Sequence, residues 1–208
     1  MCVAEIAMEV GIPAGVLNVV TGIDVEAGAA LAEHPGINHI GFVGSTAVST
    51  SIAMAAAQNV VPAVLELGGR SPHIVFPDAN LDAAATFITK GILQNAGQTC
   101  SAGSRLLVHA DVADTLLEKP KTSFEAVTIG PGSEDRDLGP LVSVKQQDRV
   151  RGYVEGADGH VITGGKAPGG FERGAFFEPT LIADVSPDGR DRAAGGLRAR
   201  LGVHNLHR

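Results

Sequence analysis

His39-Ile40-Gly41-Phe42-Val43, then Gly44-Ser45-Thr46 and an alanine-rich run to about Gln58, reads as a short apolar strand, a tight turn and a helix. The same alternation extends to either side. Upstream, residues 3–10 read as the tail of a helix stopped by Gly11 and Pro13. Val16-Leu17-Asn18-Val19-Val20 reads as a strand closed by Thr21-Gly22, and residues 25–34 as a helix stopped by Pro35-Gly36. Downstream, Val60 to Leu67 is extended and broken by Gly68-Gly69. His73-Ile74-Val75-Phe76 is a strand, and Asp78 to Asn95 a turn and long helix. The pattern then predicts strand at 105–109, helix at 111–118, loop at 130–140, helix at 143–156, strand at 160–163 and an extended Phe176 to Ile182. Short apolar strands alternating with helices predict an α/β protein with largely parallel sheets.

Composition agrees and removes several function classes. Of 208 residues, 44% are apolar, and the mean hydropathy of +0.16 provides ample material for a core and argues against a disordered chain. Sixteen basic against 23 acidic residues leave a net charge of −7, which speaks against a nucleic-acid partner that needs a basic face. The charge is uneven. Residues 1–188 hold 22 acidic and 11 basic residues, whereas 189–208 hold one aspartate and five arginines. The most apolar stretch, Ser51 to Leu67, is broken by Gln58, Asn59, Pro62 and Glu66, so no membrane span is expected. Two cysteines, Cys2 and Cys100, cannot build a disulfide framework, and a reducing, cytoplasmic setting fits them best. The seven histidines have no metal-ligand spacing, so no metal site is expected.

Three stretches could carry chemistry. The turn Gly44-Ser45-Thr46, between a strand and a helix, could present backbone N–H groups and a hydroxyl to a phosphate. Taken alone it is better read as an ordinary βα turn with a Ser or Thr N-cap, since it lacks the three spaced glycines of a dinucleotide fingerprint and has Ser49 at the sixth position from Gly44. In Leu65-Glu66-Leu67-Gly68-Gly69 a carboxylate stands between two leucines. Buried, it would suit a general base; the other reading is an exposed glutamate at a strand end. In Asn95-Ala96-Gly97-Gln98-Thr99-Cys100-Ser101-Ala102-Gly103 a single cysteine is ringed by small residues. It is either an activated thiol or, as most lone cysteines are, a small buried hydrophobe.

In order, these stretches resemble the NAD(P)-dependent aldehyde dehydrogenase superfamily. Leu65-Glu66-Leu67-Gly68-Gly69-Arg70-Ser71-Pro72 is similar to the family's glutamate signature and Gly97-Gln98-Thr99-Cys100 to its cysteine signature, with the usual 34-residue separation of Glu66 from Cys100. Phe42-Val43-Gly44-Ser45-Thr46 resembles its phosphate-binding turn. Leu138-Gly139-Pro140-Leu141 and Phe176-Phe177-Glu178-Pro179-Thr180 are also family-like. Arg70 stands where the family commonly has lysine, and Ser49 where it commonly has glycine.

The resemblance implies a Rossmann-like cofactor half-domain (residues 1–66) followed by part of an α/β catalytic domain (67–188), with residues 189–208 a non-family tail expected to be disordered. It implies Cys100 as nucleophile and Glu66 as general base. Gly44, Ser45, Thr46, Leu67 and Gly68 would contact NAD or NADP, and the substrate would be a small aldehyde. It further implies a homo-oligomer for the full-length family, and an internal fragment here, because family members are usually more than twice as long. On that reading the segments carrying the oxyanion asparagine and the ribose-holding residues lie outside the chain. The tail would be a frameshift product or fusion scar, and catalysis would be impaired. The alternative is a non-catalytic remnant that binds only nucleotide or partner chains.

Overall fold

In the computed structural model, which describes residues 2–22, 25–171, 173–185 and 197–203, the chain divides into two compact units, Met1–Leu67 and Gly68–Arg208. The first unit holds helices α1 (Cys2–Glu9) and α2 (Val25–Glu33), strand β1 (Ile40–Gly44), helix α3 (Thr46–Asn59) and strand β2 (Ala63–Leu67). β1 and β2 pair in parallel from Ile40↔Ala63 to Gly44↔Leu67, with α3 as the crossover. Ala32, Ile40, Ile52, Ala55 and Ala56 form its small core. α3 begins at Ser45, whose Oγ accepts from the Val48 N–H at 3.4 Å, so the N-cap reading of this serine is what the structure shows. The helix ends in Val60, left-handed at φ 54°, which satisfies the carbonyls of Ala56 and Ala57.

The predicted strand at Val16–Val20 does not form. Val16 and Leu17 lie in a bend and Asn18 to Val20 in coil, all exposed, Val20 at 80%, and no described strand lies beside them to complete a ladder.

The second unit is a five-stranded mixed sheet flanked by helices. β3 (Pro72–Val75), α4 (Leu81–Leu93) and β4 (Arg105–His109) make a βαβ unit with β3 and β4 parallel. α5 (Ala110–Glu125) and α6 (Val144–Glu155) lead to β5 (His160–Thr163), β6 (Thr180–Ala183) and β7 (Leu197–Val203). The sheet order is β3-β4-β7-β6-β5, and every pairing beyond β3-β4 is antiparallel. Largely parallel sheets therefore describe only the two βαβ pairs. β7 lies within the tail expected to be disordered, and at Leu197–Val203 that expectation does not hold: these residues complete the ladder between β4 and β6. The other tail residues lie outside the described ones.

α5 also runs past its predicted end at 118. Pro120 lacks the N–H that would bond the Leu116 carbonyl, yet Ala113, Leu116, Leu117, Pro120 and Phe124 form one buried stripe at helical spacing. Each large side chain in such a stripe contributes roughly 1.5–3 kcal/mol, enough together to offset one lost hydrogen bond. Val75, Ile88, Ile92, Leu106, Val108 and Leu181 complete that core, and a second cluster gathers Leu138, Leu141, Val150, Phe177 and Ile182. Among the described residues no helix is long and apolar enough to cross a membrane.

Candidate functional site

In the first unit the parallel register brings two of the three stretches together. Val43 pairs with Glu66 and Gly44 with Leu67, so the Gly44-Ser45-Thr46 turn and the Glu66-Leu67 strand end share one edge of the sheet. This is the carboxyl edge of a parallel pair with a helix N-terminus beside it, where α/β proteins commonly bind ligands. Ser45 spends its oxygen on the cap and keeps its hydroxyl proton to donate. Gly44 has a further reason to be glycine: a Cβ there would lie 2.5 Å from the Phe42 ring. Glu66 is exposed, on the same face as Val64.

In the second unit Cys100 is exposed and free, which removes the buried-hydrophobe reading. The turn that presents it is unusual. Asn95 (φ 51°), Ala96 (φ 52°) and Gly97 (φ 74°) are successively left-handed, and only the glycine adopts that conformation without cost. Side chains hold the turn. Asn95 Nδ2 donates to the Gln98 carbonyl at 3.1 Å, while the Gln98 N–H and Nε2 donate to the Asn95 carbonyl at 3.0 and 3.2 Å. Gln98 Oε1 accepts from the Val142 N–H at 2.9 Å, and Ala96 is buried with Leu138 and Leu141.

A second clamp acts from the Gly68–Arg70 bend. The Gly69 N–H donates to the Cys100 carbonyl at 3.0 Å, and Arg105 Nε donates to the carbonyl of left-handed Arg70 at 2.8 Å. A Cβ on Gly69 would come within 3.2 Å of the Cys100 carbonyl oxygen, so close backbone approach accounts for this glycine. Gly68 lines a small cavity with Cys100. The Cys100 carbonyl is thus turned inward and fixed while the thiol side stays accessible, as a nucleophile requires.

Sequence reading missed Arg105 and the role of Gln98. An arginine opening a strand reads as a solvated charge, and nothing local marks it as a carbonyl clamp. His73 lies on β3. Its ring packs against Gly91 and Gly103, and burial holds its pKa below the usual histidine range. A cavity of about 390 Å³ elsewhere in this unit is bounded by Phe124, Ile129, Phe171 and Pro179 and holds no thiol. Among the described residues no three His, Cys, Asp or Glu side chains gather as a metal ion would need.

Comparison with known proteins gives the family of the chain. Residues 1–190 match the aldehyde dehydrogenase family. The chain is 46% identical over 191 residues to hydroxyisobutyraldehyde dehydrogenase of Mycolicibacterium austroafricanum, covering 90% of this chain and 38% of that protein. It is 46% identical over 187 residues to a chloroplastic aminoaldehyde dehydrogenase of Arabidopsis thaliana, covering 88% and 37%. The crystal structure of PnpE in complex with nicotinamide adenine dinucleotide superposes with a TM-score of 0.86 at 40% identity, covering 91% of this chain and 40% of that one. The chain spans less than two-fifths of the length of the curated relatives it matches. It belongs to the aldehyde dehydrogenase family.

Proposed function

We propose that this chain carries the nucleophile and general base of an NAD(P)-dependent dehydrogenase that oxidises a small aldehyde to its carboxylic acid. The observation that carries the reading is the exposed Cys100 thiol, on a turn whose carbonyl is held by Gly69 and whose preceding residues are pinned through Gln98. The Cys100 thiolate adds to the aldehyde carbon and gives a thiohemiacetal. NAD(P)⁺, when bound, supplies the hydride acceptor. Loss of hydride leaves a thioester on Cys100. Glu66 then takes a proton from water, and the hydroxide formed releases the acid and restores the thiol.

The carboxyl edge of β1 and β2 fits a dinucleotide. Gly44, Ser45 and Thr46 would lie against its pyrophosphate, with Leu67 and Gly68 as neighbouring contacts. The names of the relatives favour aldehydes with polar substituents, and the structure of PnpE with nicotinamide adenine dinucleotide favours this cofactor class. Two free cysteines and the net charge of −7 suit a cytoplasmic setting without nucleic-acid or membrane partners. Residues 1–66 serve as a cofactor half-domain and 67–188 as a partial catalytic domain.

Cys2 and Cys100 are both exposed, so access alone does not separate them. Iodoacetamide should modify Cys100 faster than Cys2 at neutral pH, as peptide mass spectrometry of partly labelled protein would show. Equal rates would sink the assignment of Cys100. Glu66 is tested without cofactor by an activated ester such as p-nitrophenyl acetate. Glu66→Gln should keep the acylation burst and slow steady-state release by roughly 10²-fold, leaving an acetyl group on Cys100. Loss of the burst as well would give Glu66 a different role.

A further inference from the structure

The small cavity beside Cys100 has a volume of about 10 Å³ and lies between the Gly68–Arg70 bend and the Thr99–Ser104 turn. That is the space of one water molecule. Ser104 lines it, is only 3% exposed, and its Oγ has no hydrogen-bond partner among the described residues. A buried hydroxyl left without a partner is costly, so native structures satisfy such groups with protein or with water. The Thr99 hydroxyl turns elsewhere, to Ser101 Oγ at 3.5 Å. His73 Nε2 and Thr89 Oγ1 are the other buried polar atoms without a partner among the described residues, and neither residue lines this cavity.

We propose that Ser104 holds one water molecule in this cavity and that the water donates a hydrogen bond to the Cys100 thiolate. Ser104 is then a positioning residue that acts on the nucleophile through solvent, an inference that rests on the reading of Cys100 given above. The physical consequence is direct. A hydrogen bond to the charged form favours that form, so the thiol ionises at lower pH than it would without the bridge. The geometry also explains why a serine follows Gly103. A hydroxyl can hydrogen-bond to that water, and a methyl group in the place of the hydroxyl cannot.

The test uses the full 208-residue chain and the rate of Cys100 alkylation by iodoacetamide from about pH 6 to about pH 10, read by peptide mass spectrometry. Ser104→Thr keeps the hydroxyl, Ser104→Val removes it at the same size, and Ser104→Ala removes it at smaller size. Ser104→Val and Ser104→Ala should move the profile to higher pH and slow labelling near neutrality by about three- to tenfold, with the high-pH plateau unchanged. Ser104→Thr should follow the wild type. Profiles of the Val and Ala variants that coincide with the wild type would overturn the proposal. So would a loss by one factor at every pH, which reports access, or failure of both to fold while Ser104→Thr folds, which reports a structural hydroxyl. A wild-type Cys100 no faster than Cys2 sinks the underlying assignment instead, and the shift between Thr and Val variants still decides the role of Ser104.

Discussion

His73 shows how a single side chain can couple this fold to pH. Its ring occupies space left open by Gly91 and Gly103, and burial lowers its pKa below that of a free histidine. The folded state therefore binds fewer protons than the unfolded state between the two pKa values. Stability from a neutral His73 is fully present above the unfolded value of about 6.5 and is lost as pH falls through the lowered folded value. Below about pH 6 the wild type should thus lose stability more steeply than His73→Leu. At pH 8 the two should differ by no more than about 1 kcal/mol, since Nε2 has no partner to forfeit. Urea melts of both proteins at several pH values measure this, and parallel pH dependence would refute it. Residue-scale legibility was uneven. Glu66 and Cys100 stood out because a carboxylate between leucines and a thiol among small residues are chemically odd choices. Arg105, Gln98 and Ser104 did not, because their roles come from a carbonyl, an amide and a cavity supplied by distant residues.

Elements divide by whether their cause is local. α3, α4 and α6 begin at Ser45, Asn80 and Ser143, whose side chains accept from backbone N–H groups of the first turn; these starts are legible because the cap lies beside the helix it caps. Strands need partners. Val16–Val20 has strand composition and no ladder, while Leu197–Val203, which belongs to the stretch read as tail, is flanked on both sides. The end of α5, expected at 118, lies further on for a related reason, since burial of Pro120 and Phe124 depends on the core they face. The position of β7 has a measurable consequence. Leu201 pairs with Arg105 on one side and Ile182 on the other, so β7 is the only link in the ladder from β4 to β6 among the described strands. Leu201→Pro removes a central-strand N–H and should destabilise the second unit by about 3 kcal/mol or more. Thermal melts followed by circular dichroism would show it, and a change below about 0.5 kcal/mol would mean that β7 contributes little to the fold.

At the scale of the molecule, the two units are built with very different amounts of core. The second buries two apolar clusters that include Phe124, Phe177, Leu116, Leu181 and Ile182. In the first, only Ile40 and Ile52 of the buried apolar cluster exceed alanine in size, each contributing roughly 1.5–3 kcal/mol. Its exposed side chains include Val3, Ile6, Val10, Val20, Met54 and Val60, and its sheet has two strands, fewer than an isolated sheet usually needs. Ordering each residue costs about 1–2 kcal/mol, so so small a core leaves the first unit marginal on its own. Amide exchange should therefore run much faster in residues 40–67 than in 72–125, by at least about tenfold, with two unfolding transitions instead of one. The exposed apolar groups and free strand edges should also make the chain self-associate as concentration rises. Hydrogen-exchange mass spectrometry and sedimentation velocity on the full chain test both consequences. Uniform protection across the two units, with a single cooperative transition and a concentration-independent monomer, would show that the first unit draws stability from something its own small core does not supply.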